Sequence, residues 1–365
     1  MSLIKYTTAG ESHGKGLIAV IEGLPAGIPV SAEKIGADLA RRRLALGAGP
    51  RMGIESDAAE ILSGVMEGRT TGAPVAVFIK NKDHENWAGR EVPAFTRPRP
   101  GHADLAAAVK YGYGDFRLAL ERSSARETAA RTAAGALARA MLAEFGIKVA
   151  GKVVSIGGAS FPEEMEEAVA KARADGDTLG GVIEVVATGV PCGLGSHVSA
   201  DRRLDARLAA ALVSVQAIKG VEFGDGFAFA SMHGTAAHDA ITLEDGVLKR
   251  TSNRAGGIEG GISNGCPVVV RCAMKPIPTT LAPQKTVDMS TGGAAETKYE
   301  RSDVAPVARA VVVLEAMTAI VIADALAEKL GGDSIAEMKR RFASLPGLSM
   351  EELKMQDAPH LFWND

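Results

Sequence analysis

From Ala310 to Ala327 the chain is almost wholly apolar, and its only charges are Glu315 and Asp324, with Arg309 at its edge. Extended to both sides, the run reads as a helix from about Pro306 to Leu330 that Gly331-Gly332 stops. A helix that is apolar all round has to be covered all round. Two carboxylates inside it argue against a membrane span, so the cover is expected to be protein. A second long segment, Ser123 to Phe145, is so rich in alanine that neighbouring layers can approach it closely, and Gly146 marks its end.

Around these helices the periodicity alternates. Strand character is expected at Ile4–Thr8, Leu17–Glu22, Val75–Ile79, Lys148–Ile156, Val182–Ala187 and Val268–Met274. Helices are expected from a Ser31 cap to Arg43, over Glu163–Ala174, and over Arg203–Ile218. The second half thus repeats the texture of the first, yet no repeat is provable in sequence and no linker divides the chain near residue 150. We therefore expect one unit over 1–365, with halves of about 1–150 and 151–330 and a short peripheral C-terminal tail.

With 365 residues, 46% of them hydrophobic, the chain can fill a substantial core. Its 41 basic and 44 acidic residues leave a net charge of -3 spread along the sequence, which offers no global attraction for nucleic acid or an anionic membrane. Cys192, Cys266 and Cys272 are too few and too scattered for a disulfide framework or a metal cage. The opening Met1-Ser2-Leu3-Ile4-Lys5 lacks the flank and apolar run of a secretory signal, so a cytoplasmic location is expected.

Chemistry is concentrated in a few segments. Gly10-Glu11-Ser12-His13-Gly14 fits the G-x-S-x-G pattern of a nucleophilic serine, but a strand, not a helix, follows it. The plainer reading is a hairpin turn in which the glycines leave His13 room to meet a ligand. Arg99-Pro100-Gly101-His102 presents a guanidinium and an imidazole from one turn, suited to holding an anion and moving a proton. Arg122-Ser123-Ser124, with Arg126 behind it, is placed at the front of the long helix, where free N–H groups favour an anion; the plainer reading is an ordinary cap. Arg41-Arg42-Arg43 and Arg51 end one helix and enter a loop. Arg301 and Asp303 precede the last long helix, and Asn253–Gly265 carries glycines at 256, 257, 260, 261 and 265, a density that allows tight turns or close approach to a ligand. His84, His197, His233, His238 and His360 lack comparable surroundings. Neither a dinucleotide-binding G-x-G-x-x-G nor a P-loop occurs in the right setting. Three classes stay open on the residues alone: an enzyme that binds phosphate and moves protons, a serine hydrolase built on Ser12, and a noncatalytic phosphate-binding module.

Three of these segments, taken in order, resemble the chorismate synthase family: Gly10–Gly14 with Leu17-Ile18-Ala19-Val20-Ile21-Glu22-Gly23-Leu24-Pro25, Glu121–Thr128 through Gly135-Ala136, and Arg301-Ser302-Asp303 through Glu315-Ala316. The resemblance covers nearly the whole chain. It implies an α/β (α+β) fold with a central helical layer between antiparallel sheets, assembled as a homotetramer. It also implies a lyase that eliminates phosphate and the C6 hydrogen of 5-enolpyruvylshikimate 3-phosphate to give chorismate, with reduced FMN required although no net redox change occurs. NADPH enters only as a source of reduction, which leaves self-reduction or a separate flavin reductase as alternatives.

The resemblance further implies roles. His13 would serve the departing phosphate, His102 the flavin N1 region and Asp303 the flavin N5, with Ser12 and Ser124 orienting protons. Arg42, Arg51, Arg99 and Arg301 would clamp the substrate anions. FMN would meet Arg122, Ser123, Ser124, Gln216, Ala217, Gly260, the loop Lys275, Pro276, Ile277, Pro278 and Thr279, and Arg301. One departure stands out: where the family writes an arginine in Gly-Tyr-Gly-Arg-Gly, this chain has Leu46-Gly47-Ala48-Gly49. An anion contact expected there is missing unless Arg43 or Arg51 supplies it.

Overall fold

The computed structural model describes residues 2–43, 57–300, 302–353 and 355–362. Arg51, Arg301 and the Leu46–Gly49 departure lie outside the described residues.

Four strands and two helices come from the first part of the chain: β1 (Lys5–Ala9), β2 (Gly16–Glu22), α1 (Ala32–Arg43), β3 (Ala59–Ser63), β4 (Val75–Lys80) and α2 (Thr128–Ala143). A matching set follows: β5 (Lys148–Ile156), β6 (Gly181–Thr188), α3 (Leu204–Val213), β7 (Ile218–Phe223), β8 (Val268–Met274) and α4 (Val307–Leu330). The first sheet is ordered β1-β2-β4-β3 and the second β5-β6-β8-β7, both antiparallel. Each sheet turns one face inward, as the two-residue period of its strands requires. Leu17, Ala19 and Ile21 of β2 and Val75, Val77 and Ile79 of β4 are buried on one side, and Ile183, Val185, Ala187, Val268, Val270 and Cys272 on the other.

Between the sheets lies a layer of helices. α2 packs on β2 and β4, α4 on β5 and β6, and α2 and α4 pack against each other, flanked by α1 and α3. The close fit of α2 to α4 needs small residues: a Cβ on Gly135 would lie 2.1 Å from the Cβ of Ala316. α4 is long and apolar enough to cross a membrane, yet the whole of its apolar window is buried inside the fold. Its charges are paired. Glu315 accepts two hydrogen bonds from Arg41, one from Arg139 and one from the Gly151 N–H. Asp324 accepts the N–H groups of Leu3 and Ile4 at 2.7 and 2.8 Å.

Most expected elements match within a residue or two, with two corrections. The segment 123–145 is not one helix: a separate short helix, Arg117–Ser123, ends first, Ser124 is extended at φ -60° and ψ 140°, and α2 begins only at Thr128 after a 3-10 turn. Arg122 and Ser123 therefore stand at the carbonyl end of the earlier helix, where the Ser123 hydroxyl donates to the Ala119 carbonyl at 2.7 Å. Nor does the helix over Arg203–Ile218 reach residue 218. It stops at Val213 because the chain turns through Ala217, at φ +67°, into β7. The glycine-rich stretch forms a tight hairpin, Ile258–Glu259 against Ile262–Ser263, and all five of its glycines have positive φ. Beyond α4 a further helix, Ile335–Ala343, caps the core with Ile335 and Met338 buried.

Candidate active site

The β1–β2 connection, the loop before the helix Asp104–Tyr111, the break before α2, the turn before β7, the loop after β8 and the entry to α4 meet around a cavity of about 380 Å³. Ser12, His13, Arg42, Arg99, His102, Ser123, Ser124, Gln216, Ala217, Lys275, Ile277, Pro278, Thr279 and Asp303 line it. Pro276 is exposed and outside the lining. Arg122 is also outside: its guanidinium donates to the Thr8 and Gly10 carbonyls and so fastens the end of β1. Gly260 sits at the tip of its hairpin, away from the lining.

His13 is gripped from several sides. Its Nδ1 lies 2.6 Å from Glu121 Oε1, and its backbone N–H donates to Glu121 Oε2 at 2.8 Å. The ring packs on Trp87 with centroids 4.1 Å apart. His84 Nδ1 bonds the His13 carbonyl at 2.9 Å. Asn81, wholly buried, shapes the loop by donating from Nδ2 to the carbonyls of Glu11, Ser12 and Gly14, while its Oδ1 accepts from Arg126. Burial pushes the Glu121 carboxyl up, but the bonds from the His13 ring and backbone outweigh it and hold the carboxyl below its ordinary range.

His102 has a parallel support. Its Nδ1 lies 2.6 Å from Asp104 Oδ1. The same buried carboxylate takes two bonds from Arg99, through Nε and Nη2, each at 2.8 Å, and the Arg99 N–H besides. Burial works against the charge of Asp104, yet Arg99 and His102 together keep it well below the usual carboxylate range. Arg99 Nη1 reaches Thr279 Oγ1 at 3.2 Å, so this arginine is spent mainly on holding the His102 loop.

At the inner end lie Arg42, Arg126 and Arg309 with Asp57 and Asp303. Asp57, nearly inaccessible, is bonded by both Arg42 and Arg126. Arg309 holds Asp303 through two nitrogens, at 3.0 and 2.9 Å. Burial pulls the Arg42 guanidinium down to about 9, with Arg309 adding to the fall and Asp57 opposing it, so it still carries its proton at neutral pH. The cluster is cationic in sum and faces the cavity.

Two buried polar atoms at the wall have no partner among the described residues: the donor Arg309 Nε and the acceptor Gln216 Oε1. Both belong to lining residues. Opposite the polar groups are Leu120, Ala125, Ala217, Met274, Ile277 and Pro278. An apolar slot with a few convergent polar groups is the character of a small-molecule and cofactor site.

The geometry argues against a nucleophilic Ser12. Its hydroxyl bonds Ser124 Oγ at 3.2 Å, and His13 Nδ1 is engaged by Glu121. The pentapeptide is a turn between antiparallel strands, not an elbow before a helix. Sequence reading did not single out Trp87, Asn81, Asp57 or Arg309. Glu121 and Asp104 were in plain view beside the motifs, and an acidic residue close to each functional segment was the signal to follow.

Comparison with known proteins gives the chain a family. The family model described as chorismate synthase matches residues 4–327. A chorismate synthase from Caldanaerobacter subterraneus subsp. tengcongensis is 53% identical over 341 residues, covering 93% of this chain and 97% of the relative. One from Aquifex aeolicus is 49% identical over 383 residues, covering 93% and 96%. A solved structure titled "Crystal Structure of Chorismate Synthase" superposes with a TM-score of 0.76 at 43% identity, covering 93% of this chain and 96% of that one. Helices between antiparallel sheets, the cavity at their edge and the match along nearly the full length lead to one statement: the chain belongs to the chorismate synthase family and is an enzyme, a lyase.

Proposed function

We propose that the protein converts 5-enolpyruvylshikimate 3-phosphate to chorismate by 1,4-elimination, with reduced FMN bound in the same cavity. The observation that carries this is the convergence of His13, His102 and Asp303, from three distant segments, on one cavity that also holds the arginine cluster. The residues suit the flavin: the apolar slot accepts a flat ring, and Arg309 Nε and Gln216 Oε1 are a donor and an acceptor that a polar ligand would satisfy. Gln216, Ala217, Ser124 and the Lys275–Thr279 loop would hold it. When bound, reduced FMN supplies electron density that eases departure of a poor leaving group.

The chain's own groups do the rest. Arg42 and Arg126, kept charged in a buried setting, neutralise the phosphate and carboxylates as they enter. The allylic C–O bond breaks with its electron pair going to phosphate, and His13 Nε2 is placed to give that oxygen a proton. Asp303, fixed by Arg309, is the carboxylate that would take up the proton lost from C6 as the new double bond forms. His102, tied to Asp104, sets the charge on the other side of the cavity. Ser12 and Ser124, bonded to each other, keep the floor between His13 and the 3-10 turn in register.

An anaerobic assay with chemically reduced FMN tests this. Phosphate release should require the reduced flavin, and His13→Ala or His102→Ala should lower kcat about 10²-fold or more while the fold is kept. Release with oxidised flavin, or unchanged turnover in both variants, removes the proposal. A cytoplasmic homotetramer, reduced with NADPH or by a flavin reductase, belongs to the same reading; sedimentation and an NADPH oxidation assay address those parts.

A further inference from the structure

We infer that Glu121 is a positioning residue that fixes the His13 ring with Nδ1–H on its own Oε1, leaving Nε2 as the nitrogen open to a ligand, and that its negative charge favours the ring carrying a second proton there. The inference rests on the reading of His13 as the proton donor to the leaving phosphate and goes beyond it in saying what makes His13 a donor. A neutral imidazole has two tautomers, and the partner at one nitrogen decides which is populated. Here the partner is a carboxylate, which accepts only. It cannot tolerate a bare Nδ1, so the ring must be protonated there at 2.6 Å, and any second proton sits on Nε2.

Glu121 is itself locked. Its other oxygen takes the His13 backbone N–H at 2.8 Å, so one carboxylate holds both ring and main chain, and the backbone bond keeps that carboxylate in place for Nδ1. Trp87 closes one ring face and His84 holds the His13 carbonyl. Among the described residues, the charged and titratable groups on the segments packed around His13 include Glu121 and Arg117 of the helix Arg117–Ser123, Asp83 and His84 at the start of the helix His84–Trp87, and Glu11 of its own loop. Among the described residues Glu121 is the one in hydrogen-bond contact with the ring. Its carboxyl lies below its ordinary range, in keeping with a carboxylate already engaged by a donor.

Glu121→Gln is nearly isosteric but can offer an acceptor to only one of the two N–H groups, and its amide N–H facing Nδ1 favours the opposite tautomer. The test is a 15N-histidine NMR titration of the full chain without flavin or substrate, His13 being assigned from His13→Gln, alongside the pH profile of kcat. In Glu121→Gln the His13 titration should fall by about one pH unit or more, the Nδ1 and Nε2 shifts should exchange character, and the His102 signals should stay in place. The alkaline limb of kcat should move down by the same interval, because activity that needs a protonated group is lost as pH rises through its pKa, and Glu121→Asp should restore part of the shift. A variant whose His13 titrates and shifts as in the parent overturns the inference, even with activity lost, since that loss would then be structural. A moved titration with an unmoved kcat limb upholds Glu121 and counts instead against His13 as the proton donor.

Discussion

Asp104 shows how much of the site rests on single buried groups. One carboxylate with no exposed surface holds the His102 ring and both sides of the Arg99 fork. Replacing it with asparagine leaves a buried guanidinium without its counter-charge, and Asp104→Asn should cost about 3–5 kcal/mol in a urea titration. The pH dependence has a definite sign. Because the folded value lies below the ordinary 3.8, the contribution is complete above about pH 4 and is lost as pH falls through the folded value. The asparagine variant should lose that acid-side slope. At this scale sequence marked side chains that line one cavity and missed what supports them. His13, His102 and Asp303 stand out by their glycine, proline and arginine neighbours, whereas Asn81 and Arg309 stand out only once distant segments touch. Arg122 misled for a related reason: an arginine beside two serines suggests an anion cradle, but its side chain is used on the end of β1.

Among the elements, strands and their inward faces were legible because alternation is written locally, and β5 and β8 fall where their patterns place them. Helix ends were not. Ser124 can be a residue inside a helix or a cap, and the choice is made by its hydroxyl bonds to the Arg126 N–H and to Ser12, a residue more than a hundred positions away. Ala217 takes a left-handed backbone that nothing in its own type requests. The contact of α2 with α4 gives an element-scale prediction in which two effects oppose each other. Gly135→Ala adds helix propensity worth about 1 kcal/mol. The new methyl meets the Ala316 Cβ and backbone at distances no packed pair can hold, so the helices must part. Overpacking should win, with a net loss of about 1–2 kcal/mol and a lower Tm by calorimetry; a raised Tm would mean that the two helices have slack.

Across the whole molecule, both sheets follow one strand plan and share a single helical layer. We read the chain as one folding unit with a doubled plan, and such a unit should unfold in step: Trp fluorescence and far-UV circular dichroism should give coincident urea transitions. Two separated transitions would divide it. Thiol labelling probes the same interior. Burial pushes the Cys272 thiol up to about 12, whereas Cys192 is exposed. At pH 8 a disulfide reagent should react at Cys192 within minutes and reach Cys272 only when urea opens the second sheet. The resemblance to a family foretold this architecture; the residue patterns taken alone supplied strands and helices without their order.

The bond from the first strand's entry to α4 has an effect in time as well as in space. Leu3 and Ile4 dock on Asp324, more than three hundred residues later. While the ribosome is still making the protein, then, the earliest segment waits for one of the last to emerge. A chain released early keeps His13 on a turn whose first strand lacks its mooring, and chaperone demand should peak just before α4 leaves the exit tunnel.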